Sequence, residues 1–138
     1  MRWKSPVSKQ RKRRVNYESE ECIVFYDAFS RQYPDLTADL ERHECGGTRR
    51  KVERAILQRQ GQKNGFPDYF LYYPSGRWHG LAIEMKKSMT YGGSKPVTSP
   101  EQLARGMRFR ERGYAFYVCH GAEEALEVIK KYLRCESF

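Results

Sequence analysis

Apolar positions recur along this chain with two spacings, one helical and one alternating. From Glu20 to Gln32 they fall at Ile23, Val24, Phe25, Tyr26, Ala28 and Phe29, a band broad enough to bury one face of a helix. Ser19 is placed to cap that helix, and Tyr33-Pro34 ends it, because the residue before proline avoids helical geometry. Residues 37–45, around Leu40 to Cys45, read as extended, and Gly46-Gly47 breaks the chain. A second helix is predicted from Arg49 to Gln60, with Val52, Ala55 and Ile56 inward and Gly61 past its end. Two strands follow at 69–73 and 81–86, joined by the turn Pro74-Ser75-Gly76-Arg77-Trp78-His79-Gly80. Ser99-Pro100-Glu101-Gln102 is a helix start with serine cap, proline in the first turn and glutamine three after the cap. This helix runs to Arg112 and stops at Gly113. Tyr114 to Cys119 reads as a buried strand. A last helix spans 123–133, with Ala125, Leu126, Ile129 and Leu133 inward.

The strand–helix–strand step after Lys86 requires a crossover, so the last strand should lie parallel to a neighbour. The prediction is an α/β fold, a small mixed sheet flanked by helices, without internal repeats. A chain of 138 residues has room for one such domain, assigned to residues 16–138.

Charge adds a separate element. The first 15 residues hold seven of the 26 basic side chains and none of the 17 acids, so the remaining 123 residues are nearly balanced, 19 against 17. Residues 1–15 are read as a flexible basic arm, suited either to keeping the protein soluble or to contacting a polyanion. The basic side of the second helix, with Arg49, Arg50, Lys51, Arg54 and Arg59, can be a solvated face or can run beside a phosphate backbone. No apolar run is long enough to cross a membrane and the N-terminus has no signal-peptide core, so a cytoplasmic protein is expected. Cys22, Cys45, Cys119 and Cys135 have no CxxC spacing and no flanking histidines, so buried free thiols are expected rather than zinc ligands or disulfides. The glycine-bearing loop 91–97 does not match a P-loop.

The candidate chemistry lies on the two strands. Side chains alternate across a strand, so Glu84 and Lys86 share one face with Ala82, while Leu81, Ile83 and Met85 share the other. With Asp68 at the start of the neighbouring strand, these residues can hold a divalent cation and an attacking water, which suits phosphodiester hydrolysis. Glu-x-Lys on a strand is also a common solvated ion pair. Glu20 and Glu21 in the first turn of the first helix can equally complement its dipole.

The ordered set of motifs resembles the VRR-NUC family, virus-type replication–repair nucleases of the PD-(D/E)xK superfamily. The matching stretches begin with the Ser19-Glu20 helix ending in Tyr33-Pro34, then His43-Glu44-Cys45-Gly46-Gly47-Thr48-Arg49 and Gly65-Phe66-Pro67-Asp68. They continue with Gly80-Leu81-Ala82-Ile83-Glu84-Met85-Lys86, Ser99-Pro100-Glu101-Gln102, Arg112-Gly113-Tyr114 and Gly121-Ala122-Glu123-Glu124-Ala125. The resemblance implies a restriction-endonuclease-like core and a metal-dependent DNA endonuclease using Mg²⁺ or Mn²⁺. It implies Asp68, Glu84 and the Met85 backbone carbonyl as metal ligands, Lys86 beside the nucleophilic water, and Gln102 near the catalytic strand. The family's helix glutamate falls on Glu20, with Glu21 as the alternative register. Small relatives of this kind are homodimers acting on four-way (Holliday) junctions, so branched DNA and a two-fold dimer are expected of a bacterial or phage protein. Tyr72, Tyr73 and Trp78 are candidate interface residues, and Arg11, Lys12, Arg13, Arg14, Arg49 and Arg50 are candidate DNA contacts. The competing readings are a flap nuclease or exonuclease of the same superfamily, and a DNA-binding module whose acidic site is incidental. One departure stands out: Cys45 occupies the place of the family's asparagine before the paired glycines.

Overall fold

A computed structural model describes residues 16–43 and 50–136. The arm residues Arg11 to Arg14, together with Cys45 and Arg49, lie outside the described residues. Helix α1 (Tyr17–Gln32) leads through a 3-10 segment (Pro34–Asp39) into strand β1 (Leu40–Arg42). Helix α2 (Lys51–Arg59) comes next, then β2 (Tyr69–Leu71), β3 (Leu81–Lys86) and a 3-10 turn at Met89–Tyr91. Helix α3 (Pro100–Glu111), β4 (Ala115–His120) and α4 (Ala122–Leu133) complete the fold. The sheet order is β1-β2-β3-β4, with β2 antiparallel to β1 and to β3, and β4 parallel to β3. The predicted mixed sheet and crossover are therefore present, with α3 as the crossover.

Strand β3 is buried at all six positions because both of its faces are covered. Its apolar face, Leu81, Ile83 and Met85, joins Cys22, Phe25 and Phe29 of α1 and Ala125, Ile129 and Tyr132 of α4 in the main core. The other face lies under α3. There Phe66, Phe70, Phe109 and Tyr114 form a second, aromatic cluster, with Phe109 in edge contact with Phe66 and Tyr114. Helix α3 approaches the sheet closely at Gly106, where an added Cβ would overlap the Phe116 ring.

Three local expectations change. Helix α1 starts at Tyr17 under an Asn16 cap, whose Oδ1 accepts from the Ser19 amide at 3.2 Å, so Ser19 lies inside the helix. Helix α2 forms, but no residue in it is buried, and Val52 and Ile56 stay 70% and 49% exposed. Amphipathic spacing marks a face that can be buried, and over nine residues rich in charge it does not supply the partner. Cys22 and Cys119 are buried thiols, as expected, but Cys135 is exposed beyond the end of α4.

Gly106 yields a test in which two effects oppose each other. Alanine favours a helix over glycine by about 1 kcal/mol, while forcing a methyl into a packed ring costs about 1 to 3 kcal/mol. The clash should win, so Gly106→Ala is expected to lower the urea midpoint of unfolding. An unchanged or raised midpoint would mean that α3 does not press on Phe116 as described.

Candidate active site

The β2–β3 register sets the geometry. Tyr69 pairs with Ile83, so one step further out Asp68 comes opposite Glu84 on the face under α3. Asp68 Oδ2 accepts the Met85 amide at 2.7 Å, which fixes this carboxylate against β3. Its own carbonyl accepts from the His43 amide at 2.8 Å, continuing the β1–β2 ladder. Two residues along the same face, Lys86 Nζ stands 3.0 Å from Glu84 Oε1. The pair is not a solvated surface bridge: Glu84 is 3% exposed and Lys86 8%.

Gln102 closes the group. The predicted capping box at the start of α3 is present: Ser99 Oγ accepts the Gln102 amide, and Gln102 Oε1 accepts the Ser99 amide at 2.9 Å. The same Oε1 accepts from Lys86 Nζ at 3.2 Å, which turns Nε2 to donate to Glu84 Oε1. One side chain thus caps a helix and bridges both members of a buried ion pair. Gly65, with φ of 79°, allows the turn before Asp68 to pass beside this helix start, since a Cβ there would lie 2.7 Å from the Glu101 carbonyl.

These residues line an open cleft of about 450 Å³ together with Glu18, Asn64, Phe66, Ser99 and Glu101. The structure brings Asp68, Glu84, Lys86 and Gln102 together, as expected, but Glu20 is not among the lining residues. The α1 carboxylate at the cleft is Glu18. It precedes Cys22, Phe25 and Phe29 at helical spacing on the buried stripe, whereas Glu20, two residues on, is turned about 200° around the axis. Glu21 is engaged elsewhere: its Oε2 accepts the Ala122 amide at the start of α4, at 2.5 Å. The signal that finds Glu18 is its register with the core positions rather than its place in the first turn. Arg42 was also missed; its charge favours the ionised form of Asp68 and its guanidinium lies over the Tyr69 ring. Arg50, at the start of α2, is exposed and does not line the cleft.

The electrostatics are strained. Burial, then the neighbouring Asp68 charge, pushes the Glu84 carboxyl up to about 7. Burial likewise raises Asp68, and burial with the Asp68 charge raises Glu18. Among the described residues no three Cys, His, Asp or Glu side chains converge as a metal cluster. A buried and a half-buried carboxylate, both with raised pKa values, nevertheless fit a divalent cation, which would offset their repulsion and favour their ionised forms.

No family model matches the chain, and no curated protein matches it. Among solved structures it is similar to a "VRR_NUC domain protein", with a TM-score of 0.74 and 26% identity over 91% of this chain and 95% of that one.

The raised Glu84 pKa has a stability consequence. The folded protein holds this proton more tightly than the unfolded chain, so the stabilisation is complete below about 4.5 and is lost as pH rises through about 7. In chelator, the melting temperature of wild type relative to Glu84→Gln is expected to fall across that window. A difference that stays flat would reject the assignment.

Proposed function

Because the chain belongs to the VRR-NUC family of PD-(D/E)xK nucleases, we propose that it is a divalent-metal-dependent DNA endonuclease acting on branched DNA of the four-way-junction type. The observation that carries this reading is the buried Glu84–Lys86 pair with half-buried Asp68 and Gln102 converging on it in an open cleft. A site of stranded charges is costly to keep, and such sites are enriched where chemistry is done.

In this reading Asp68, Glu84 and the Met85 carbonyl hold Mg²⁺ or Mn²⁺, both of which accept oxygen ligands and retain waters. When bound, the ion supplies a polarised water and screens the scissile phosphate. The hydrogen bonds from Lys86 and Gln102 both fall on Glu84 Oε1, which leaves Oε2 for a ligand. Asp68 is anchored through Oδ2 by the Met85 amide, and Oδ1 is its ligand atom. Lys86, held by Glu84 and Gln102, orients the attacking water and stabilises charge developing on the phosphate. Glu18 takes the helix-carboxylate role that the family resemblance places on Glu20 or Glu21, ordering the water shell from the α1 side of the cleft. The product carries a 5′-phosphate. The basic arm and the start of α2, through Arg11, Lys12, Arg13, Arg14, Arg49 and Arg50, add backbone contacts that do not read sequence.

Cleavage of synthetic four-way junctions with Mg²⁺ or Mn²⁺ tests this. Asp68→Asn, Glu84→Gln and Lys86→Ala are each expected to lose at least about a hundred-fold in single-turnover rate, the scale of removing one transition-state contact. Glu18→Gln should slow cleavage more than Glu20→Gln. Normal turnover by either of the Asp68 and Glu84 variants would remove the proposed site.

The assembly proposed is a two-fold homodimer, which presents two sites to symmetry-related strands of a junction. Tyr72 and Tyr73 are 52% and 43% exposed, and half-buried Trp78 carries the Arg77 guanidinium 4.3 Å above its ring. Light scattering is expected to give twice the mass of one chain. A monomer that resolves junctions would overturn the dimer.

A further inference from the structure

Helix α1 meets the segment after β3 through two tyrosine rings. Tyr17, the first residue of α1, and Tyr91, the last of the 3-10 turn, stack with centroids 4.3 Å apart and planes 24° apart. Neither ring belongs to the core, and they remain 41% and 45% exposed. Neither ring lines the cleft, but each lies near a cleft residue along the chain. Tyr17 adjoins Glu18, a cleft residue, and Tyr91 follows Lys86 by five positions.

The turn that carries Tyr91 is held in place. Ser88 caps it, with Oγ accepting the Thr90 amide at 3.3 Å, and Lys87 Nζ donates to the Gly92 carbonyl at 3.1 Å. The Tyr91 hydroxyl bonds to Glu21, which in turn accepts from the first residue of α4. This fixes the ring without burying it. A stack of two rings in water covers one face of each and leaves an outer face of each wet. Apolar rings kept exposed, stacked and aligned offer a flat surface to a third ring.

The only π-faces that a DNA substrate can add to such a stack are those of its bases. A base within a duplex is already stacked above and below, so only an unpaired base or one at a branch is available. The carboxylates beside the pair, Glu20 and Glu21, disfavour phosphate there, which leaves the base as the group to be presented. Resting on the nuclease reading above, we propose that the Tyr17–Tyr91 pair is a stacking platform for an unpaired nucleobase of the branched substrate, outside the cleft that takes the scissile phosphate. It selects branched over continuous duplex DNA without reading sequence, since every base has a π-face.

The test uses the full chain in Ca²⁺ with a splayed-arm duplex carrying 2-aminopurine at the first unpaired position. Stacking on the platform is expected to quench its fluorescence on binding. Tyr91→Leu keeps an apolar contact on Tyr17 but removes the flat face, and it should abolish the quench and weaken affinity about ten-fold, the scale of one base–aromatic stack. Tyr17→Leu should act in the same direction. Tyr91→Phe loses the bond to Glu21 but keeps the ring, and it should retain the quench. A quench that survives in Tyr91→Leu would overturn the proposal. So would a quench lost equally in Tyr91→Phe, since the Glu21 bond and the loop it holds would then be what matters. Failure of the nuclease reading looks different: wild-type protein would neither bind nor cut any DNA, and the platform would fall with it.

Discussion

An ion pair enclosed under a helix is the constraint on which the remaining structure depends. Removing either partner of a buried charge pair leaves an uncompensated charge, which costs more than most single contacts contribute. Glu84 and Lys86 can therefore be buried on β3 only if each is held, and what holds both is the amide of Gln102. That amide is aimed by the Ser99 cap, and the cap is brought within reach because Gly65 lets the preceding turn pass beside the start of α3. A helix cap, a glycine and a strand register, distant in sequence, thus converge on two side chains.

The cluster works against the fold that contains it. Three carboxyl groups, Asp68, Glu84 and Glu18, all have their ionised forms disfavoured by burial, and Asp68 opposes the charge on each of the other two. A fold selected for stability alone would place apolar side chains on this face of β3, as it does on the other. The aromatic cluster of Phe66, Phe70, Phe109 and Tyr114 beside it supplies apolar contact where the charged group cannot.

How much of this was legible in the sequence depended on whether the signal was local. The capping box at Ser99, the alternation on β3 and the crossover before β4 are encoded within a few residues of where they act, and they read correctly. The pairing of Asp68 with Glu84 was anticipated as neighbouring strands, but its register rests on the Asp68–Met85 bond, which spans 17 positions. The family resemblance offered Glu20, with Glu21 as the alternative, and did not consider Glu18, whose phase relative to Cys22 and Phe25 shows only once the helix is seen to start under the Asn16 cap, three residues before the expected one. For α2, spacing alone was asked to say what a helix packs against, and spacing carries no such information.

Strand β4 ends the sheet, and among the described residues its outer side has no neighbouring strand. An open strand of six residues is a template on which another extended chain can pair. Arg110, reaching from α3, donates through Nη2 to the Phe116 carbonyl at 2.7 Å, while its guanidinium lies 5.3 Å from the centre of the Tyr117 ring. The carbonyl that would begin such a pairing is therefore occupied by the chain's own cation, and a positive charge sits over the border. At the opposite side of the sheet, β1 is kept to three residues. A charge guards one margin of the described sheet and brevity limits the other, and both discourage strand-by-strand growth into a polymer.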